Sequence, residues 1–444
     1  MADLVGNALV AQSGGPTVVI NASVAGVIQE AGRHPDVIKR IYGGRNGIWG
    51  VLNEELVDLE KEKRQAIEGL KHCPAAALGT CYYELDFKGR PAEAAKDMER
   101  LFEVFMAPRW QEEEEGGEPP KCYPIRYFFY IGGNASQDTT LRIHEEALKR
   151  GYEMRVIGIP KAVENDLPHT DHCPGYGSVI KHTAASVMEL ALDTASLAAE
   201  TGACCLIEVT GQNTGWIAAG AVLAKRHPND GPHVILLPEV TLDEAKFVAK
   251  VKATLEACRY CVVVVGEGLR HLNKDGKVEI LAEDKTWVDA AGNPLRAGAA
   301  DRLAELLKRH KVNASIRTVK LGYSQRCAAH FASAADVAEA VACGEAAVRA
   351  AVAGQSGFMV KIVREQDNPY KWSLALHDLK DVANVVRGVP RDWLSGDGMM
   401  PNEKFIEYAR PLIEGELKLT LEGGLPKYVT LEKVPVDKLL PPRA

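Results

Sequence analysis

YFFYIGGNASQDTTLRIHEEALKRG, residues 127–151, runs from an unbroken apolar stretch through a paired-glycine loop into a helix-patterned segment. Tyr127 to Ile131 show no polar alternation, which predicts a strand covered on both faces, the habit of parallel sheets. Gly132 and Gly133 then let the backbone come close to a ligand, and Asn134, Ser136 and Thr139 supply donors where a helix begins. The same succession recurs outward in both directions. NALVAQ (7–12), RVIGIP (155–160), CCLIEV (204–209), HVILLP (233–238) and CVVVVGEG (261–268) predict further buried strands. Helical patterns fall between them at 18–33, 138–151, 178–200 and 243–259. Alternating strand and helix predicts an α/β protein with right-handed crossovers, whose ligands collect in loops at the carboxyl ends of the strands.

At 444 residues the chain exceeds one ordinary core, so two doubly wound, Rossmann-like lobes are expected. The predicted division is 1–172, 173–325, and 326–444 returning to the first lobe with a C-terminal appendage that ends in a frayed LLPPRA. Two stretches break the rhythm. APRWQEEEEGGEPPKCYP (107–124) reads as a solvated acidic insertion, and HLNKDGKVEILAEDKTWVDAAGNP (271–294) as a projecting β excursion.

Fifty-three basic against sixty acidic residues leave a net charge of −7, so no global basic field attracts nucleic acid or an anionic membrane. Any phosphate must be held by local groups. No apolar run approaches the ~20 residues that span a bilayer, and MADLVGNALVAQSGG lacks the basic flank of a signal peptide, so a cytoplasmic location is expected. The ten cysteines form no repeating framework and read as reduced, largely buried thiols. Cys258 and Cys261 have metal-like spacing but no second pair. His169, Asp171, His172 and Cys173 look more like a ligand set, with a polar loop as the plainer reading.

Three strand-end loops carry the chemistry. Gln12-Ser13-Gly14-Gly15-Pro16-Thr17 leaves a strand and enters a helix, and Ile131 to Thr139 does the same. Neither matches the Walker or the dinucleotide fingerprint, which disfavours a P-loop ATPase and a nicotinamide dehydrogenase. In the third loop, Pro160 to Pro168, Lys161 stands three residues before Glu164 and five before Asp166. A base there could accept a hydroxyl proton while the lysine steadies phosphate charge. An isolated loop of this kind would be an ordinary charged turn; its place after a strand, beyond two glycine loops, favours a site.

With INAS, YGGRNGI (42–48), LGTC (78–81), CPGYGS (173–178), TGQNTGWIAA (210–219), VVGEGLR (264–270) and LGYSQRCAAH (321–330), these blocks resemble the long bacterial pyrophosphate-dependent phosphofructokinases over residues 7–415. The resemblance implies the phosphofructokinase fold and transfer of a phosphoryl group from Mg²⁺ pyrophosphate, less so ATP, to the 1-hydroxyl of fructose 6-phosphate. It implies a donor site at Gly14, Gly15, Gly132, Gly133, Asn134 and Ser136 in the first lobe. Glu164 stands where the family has its catalytic Asp, Asp166 matches the second acid, and Lys161 matches the lysine that marks pyrophosphate use. Gly211, Glu267, Arg317, Tyr323 and Arg326 correspond to the sugar-phosphate site, although Glu267 and each arginine could instead serve structural ion pairs. A homo-oligomer with sites completed across subunits is also implied.

Departures from the family pattern fall on reactive positions. Asn134 and Ala135 leave the donor loop without its usual acid, so direct protein ligation of Mg²⁺ is doubtful. Ala162 lacks a phosphate-bonding hydroxyl, Tyr82 and Gln212 replace arginines, and Thr210 replaces a methionine. Loss of one preorganised stabiliser can cost ~3 to 4 kcal/mol, and a ~1 Å shift of the base on the order of a hundredfold in rate. Two expectations follow: an active phosphotransferase, or an impaired paralogue that binds sugar phosphate or pyrophosphate and regulates an intact homologue.

Overall fold

The apolar runs form the centres of two sheets in the computed structural model, which describes residues 4–112, 121–288, 294–295 and 298–443. The larger sheet has seven strands in the order Lys371–Asp378, Phe358–Gln366, Arg155–Pro160, Ile125–Gly132, Gly6–Gln12, Ile38–Gly44 and Leu56–Asp58. Its inner strands are parallel and its two outermost are antiparallel to their neighbours. The smaller sheet is parallel throughout, in the order Ser315–Lys320, Ala203–Val209, Tyr260–Gly266 and Val234–Leu236.

Alternate residues of each central strand pack into different cores, as a pleated strand covered on both faces requires. Ala8, Val10, Tyr127 and Phe129 face one apolar cluster, and Leu9, Ala11, Phe128 and Tyr130 face another. In the smaller sheet Cys205, Ile207, Val262 and Val264 face one side, and Cys204, Leu206, Val263 and Val265 the other. The predicted helices form as Ile20–Ala31, Asn134–Arg150, Tyr176–Ser196 and Glu244–Cys258. Among the described residues no helix is long and apolar enough to cross a membrane.

Several expectations need correction. The hairpin of residues 358–378 extends the larger sheet, its first strand pairing with Arg155–Pro160, so an appendage starts only after it. LLPPRA is not frayed over its described residues. Upstream, Asp58 donates to Val434 O at 2.9 Å and Val436 to Leu56 O at 2.9 Å, so the tail covers the sheet's open edge. Glu54 then accepts from the amides of Leu439 at 2.7 Å and Leu440 at 3.0 Å. In the 107–124 segment, Trp110–Glu112 pairs with Lys121–Tyr123 as an antiparallel ribbon, while 113–120 lie outside the described residues. The β excursion at 271–294 does form, with Arg270–Leu272 paired to Val278–Ile280, although 289–293 also lie outside.

The candidate ligand set around His172 is a structural ion network. His172 lies between Asp171 at 2.8 Å and Glu339 at 2.6 Å, both imidazole and Glu339 side chains being 1% exposed. Arg364 clasps Asp171 through two hydrogen bonds, and Tyr370 donates to Glu339. Cys261 is buried within a strand, Cys258 ends the helix before it, and all ten cysteines are free thiols.

Burial alone would push the His172 imidazole down, but Glu339 and Asp171 outweigh it and raise it to about 9. A pKa raised on folding contributes stability that is fully present below the unfolded value of 6.5 and disappears as pH rises through about 9. Removing one member of a buried pair costs about 3 kcal/mol or more. His172→Ala is therefore expected to unfold at lower urea at pH 7, with its deficit against wild type shrinking above pH 9.

Candidate functional site

The order in which the chain adds strands to the larger sheet reverses at Gly6–Gln12, which has Ile38–Gly44 on one side and the parallel Ile125–Gly132 on the other. Loops leaving two such strands cannot be covered by one connection, so a crevice opens at their carboxyl ends. The two glycine loops meet there. Ser13 donates its amide to Ile131 O at 2.9 Å, and the Ser13 and Ser136 hydroxyls hydrogen-bond each other. Gly132 is required by this approach, since a Cβ on it would lie 2.0 Å from Ser136 Oγ and 2.7 Å from Ser13 Oγ.

The third loop arrives from the adjoining strand Arg155–Pro160. Lys161 donates its amide to Gly132 O at 3.2 Å and its Nζ to Gly15 O at 2.8 Å. Asp166 accepts from Asn134 Nδ2 at 3.2 Å, which ties the acid to the second glycine loop. Between Glu164 and Asp166 stands Asn165, buried, with φ of 51° in the left-handed region that Asn tolerates better than most residues. Its side chain donates to Tyr408 Oη at 2.9 Å and accepts from Cys173 N at 3.0 Å and from Arg387 at 3.1 Å. Arg387 also gives its own amide to Asp166 O at 2.8 Å.

Strand ends of the smaller sheet close the other wall. Thr214 donates to Glu164 O at 3.2 Å, and Glu267 accepts from Gly211 N at 3.3 Å. Buried Gln325 donates to the Thr210 hydroxyl, and next to it Arg326 reaches back across the crevice. The Arg326 guanidinium lies over the Tyr323 ring, 4.3 Å from its centre, donates to Tyr82 Oη at 3.4 Å, and would meet a Cβ on Gly15 at 2.6 Å. Contacts thus join Gly14, Gly15, Gly132, Gly133, Asn134, Ser136, Lys161, Asp166, Tyr323 and Arg326 to one another, with the Glu164 backbone tied on through Thr214, while Gly211 and Glu267 bond each other at strand ends of the smaller sheet.

Arg317 does not join them. It sits midway along the edge strand Ser315–Lys320, ion-paired to Asp193, and donates to Thr194 Oγ1 at 3.4 Å. Sequence reasoning also passed over Asn165, Arg387, Thr214 and Gln325. Asn165, Thr214 and Gln325 lie within strand-end blocks that resemble the family, whereas VVRGVP around Arg387 carries no pattern that marks it.

Burial pushes the Lys161 amine down, neighbouring Arg326 pushes it further, and Asp166 opposes both, leaving it at about 8. Burial raises the Asp166 carboxyl above its usual range, against the hydrogen bond from Asn134. Lys161 and Arg326 therefore crowd two cations into a hollow whose glycine loop, with Asn134 and Ala135, adds no carboxylate. An anion of high charge density relieves that repulsion. Ala162 instead packs with Leu167, Cys173 and Leu379.

The phosphofructokinase family model matches residues 7–351. The chain belongs to the phosphofructokinase family. It is 41% identical over 436 residues to the pyrophosphate–fructose 6-phosphate 1-phosphotransferase of Halomonas elongata, with 98% of each chain covered. The protein of the same name from Methylococcus capsulatus is 42% identical over 434 residues, again covering 98% of each. Among solved structures, the pyrophosphate-dependent phosphofructokinase of Nitrosospira multiformis superposes with a TM-score of 0.86 at 39% identity, over 99% of this chain and 100% of that one.

Gly132→Ala tests the meeting of the two loops. Because the clashing atoms belong to buried serines, the variant is expected to lose about 1 to 3 kcal/mol in urea unfolding. Gly15→Ala meets only the far end of a long side chain and should stay near wild-type stability.

Proposed function

We propose that this chain transfers a phosphoryl group between pyrophosphate and the 1-hydroxyl of fructose 6-phosphate. The observation that carries the reading is Lys161, buried against the Gly15 carbonyl at the meeting of both glycine loops, in a chain that matches pyrophosphate-named relatives end to end. Pyrophosphate would lie along the amides of Gly14, Gly15 and Gly132 to Ser136, with Lys161 neutralising charge that moves onto the leaving phosphate. Glu164 would accept the sugar hydroxyl proton and Asp166 would hold that hydroxyl in line. Arg326 would grip the 6-phosphate, and Glu267 with Gly211 the sugar hydroxyls.

Among the described residues no three His, Cys, Asp or Glu side chains converge on a metal-sized hollow. The oxygens on offer are the Asp166 carboxylate and Asn134 Oδ1, which is buried without a hydrogen-bond partner. Such a sparse set suits Mg²⁺ that arrives already bound by substrate phosphates, where it would neutralise diphosphate charge. Arg317, on the exposed edge of the smaller sheet, supports a homo-oligomer in which it serves a neighbouring copy. Turnover of these sugar phosphates is a cytoplasmic activity, and we place the protein there.

A coupled assay with fructose 6-phosphate and pyrophosphate, in both directions, tests the proposal. Turnover is expected, cut about a hundredfold or more by Glu164→Gln. Affinity for pyrophosphate should weaken as pH rises past about 8, where Lys161 loses its proton, and Lys161→Met should be weaker throughout and lack that dependence. Binding of fructose 6-phosphate without any turnover, abolished by Arg326→Ala, would instead support an impaired, regulatory paralogue. The residues favouring that outcome are Ala135, Ala162, Tyr82 and Gln212.

A further inference from the structure

Residues 79–86, between the first glycine loop and the helix Pro91–Met106, contain no helix or strand, so their course is set by side-chain and backbone contacts. On the inner side those contacts belong to the hollow. Gly14 N donates to Cys81 O at 3.0 Å, Thr80 Oγ1 donates to Gly14 O at 2.6 Å, and Tyr82 Oη accepts from Arg326 at 3.4 Å. The two shortest of these are with Gly14.

On the outer side the fixing group is Tyr83. Its hydroxyl donates to Asp97, and its ring packs on Trp49 with centres 5.1 Å apart. Arg443 covers all three. It pairs with the buried Asp97 carboxylate, donates to Tyr83 Oη at 3.1 Å, and lies over the Trp49 ring at 5.0 Å and the Tyr83 ring at 5.6 Å. The tail that delivers Arg443 is itself held firmly. Glu54 takes the Leu439 and Leu440 amides while ion-paired at 2.7 Å to Arg109, both side chains being 1% exposed. Arg100 adds a hydrogen bond to Pro441 O at 2.7 Å.

A short irregular segment is therefore stretched between Gly14 and a fixed cation, with Tyr83 two residues from Cys81 and three from Thr80. We propose that Arg443 is a positioning residue for pyrophosphate: by fixing Tyr83 it holds Thr80 and Cys81 against Gly14 and so sets the conformation of the first glycine loop. This rests on the phosphotransferase reading above. Because the single contact to Arg326 is long, the effect falls on the donor and not on the sugar phosphate.

The test compares Arg443→Ala and Arg443→Lys with wild type in the same coupled assay, with calorimetric titration of pyrophosphate alongside. Arg443→Ala is expected to raise KM for pyrophosphate roughly tenfold, about 1.4 kcal/mol, with kcat and KM for fructose 6-phosphate within about twofold. Arg443→Lys, which keeps the charge beside Asp97 but not the planar fork, should recover part of the loss. A lower melting temperature with both KM values unmoved, or an equal rise in both, overturns the proposal. Should Arg443→Ala fail to fold, Tyr83→Phe removes only the bridging hydroxyl and should raise the pyrophosphate KM about threefold; no change there is equally fatal. If wild type binds pyrophosphate but turns nothing over, the activity reading falls alone, and weaker calorimetric binding by Arg443→Ala still sustains the positioning role.

Discussion

Everything in the crevice depends on one buried amide. Asn165 holds the turn between Glu164 and Asp166 in a backbone conformation that few residues accept, and its side chain is clasped by Tyr408, Cys173 and Arg387. With the turn so fixed, Asp166 meets the second glycine loop and the Glu164 carbonyl meets Thr214 of the smaller sheet. Two lobes with separate cores are thereby tied together at Glu164. A leucine or alanine at 165 would keep the volume or the helix tendency but would leave the Cys173 amide unanswered and take one hydrogen bond each from Tyr408 and Arg387.

Charge gives the hollow its character. A lysine amine desolvated beside an arginine is held at the edge of its protonated range, a state that a polyanion stabilises and a neutral ligand does not. The half-buried Asp166 pulls the other way and is itself pushed toward the neutral form by burial. Such opposed shifts in one cleft are the usual mark of a site where protons and phosphate charge are handled together. By contrast, the Asp171–His172–Glu339 group satisfies itself almost completely, and its shifts report packing within the larger sheet's lobe.

Much of the fold was legible because central parallel strands must be apolar on both faces, and NALVAQ, YFFYI and CVVVV state this without ambiguity. The edge elements were not. KWSLALHD at one edge, and IKRIYGG one strand in from the other, mix charged and apolar residues because one face or one end is partly open to solvent, which blurs the period that marks a strand. The tail misled for a related reason: its prolines and charges look like fraying, but its backbone is taken up by Glu54 and by the open sheet edge, partners far away in sequence. At the site, glycine loops and Lys161 could be read from position alone. Arg317 could not, since nothing in the string SIRTVK reveals that it lies within an edge strand, paired with Asp193.

The Thr210–Gln325 hydrogen bond limits what can stand at position 210. The Thr210 hydroxyl is the acceptor for a buried glutamine amide whose own oxygen lacks a hydrogen-bond partner. An apolar side chain at 210 alone would strand both ends of that amide in the interior. Such a replacement has to be matched at 325, so the two positions are free to vary only as a pair.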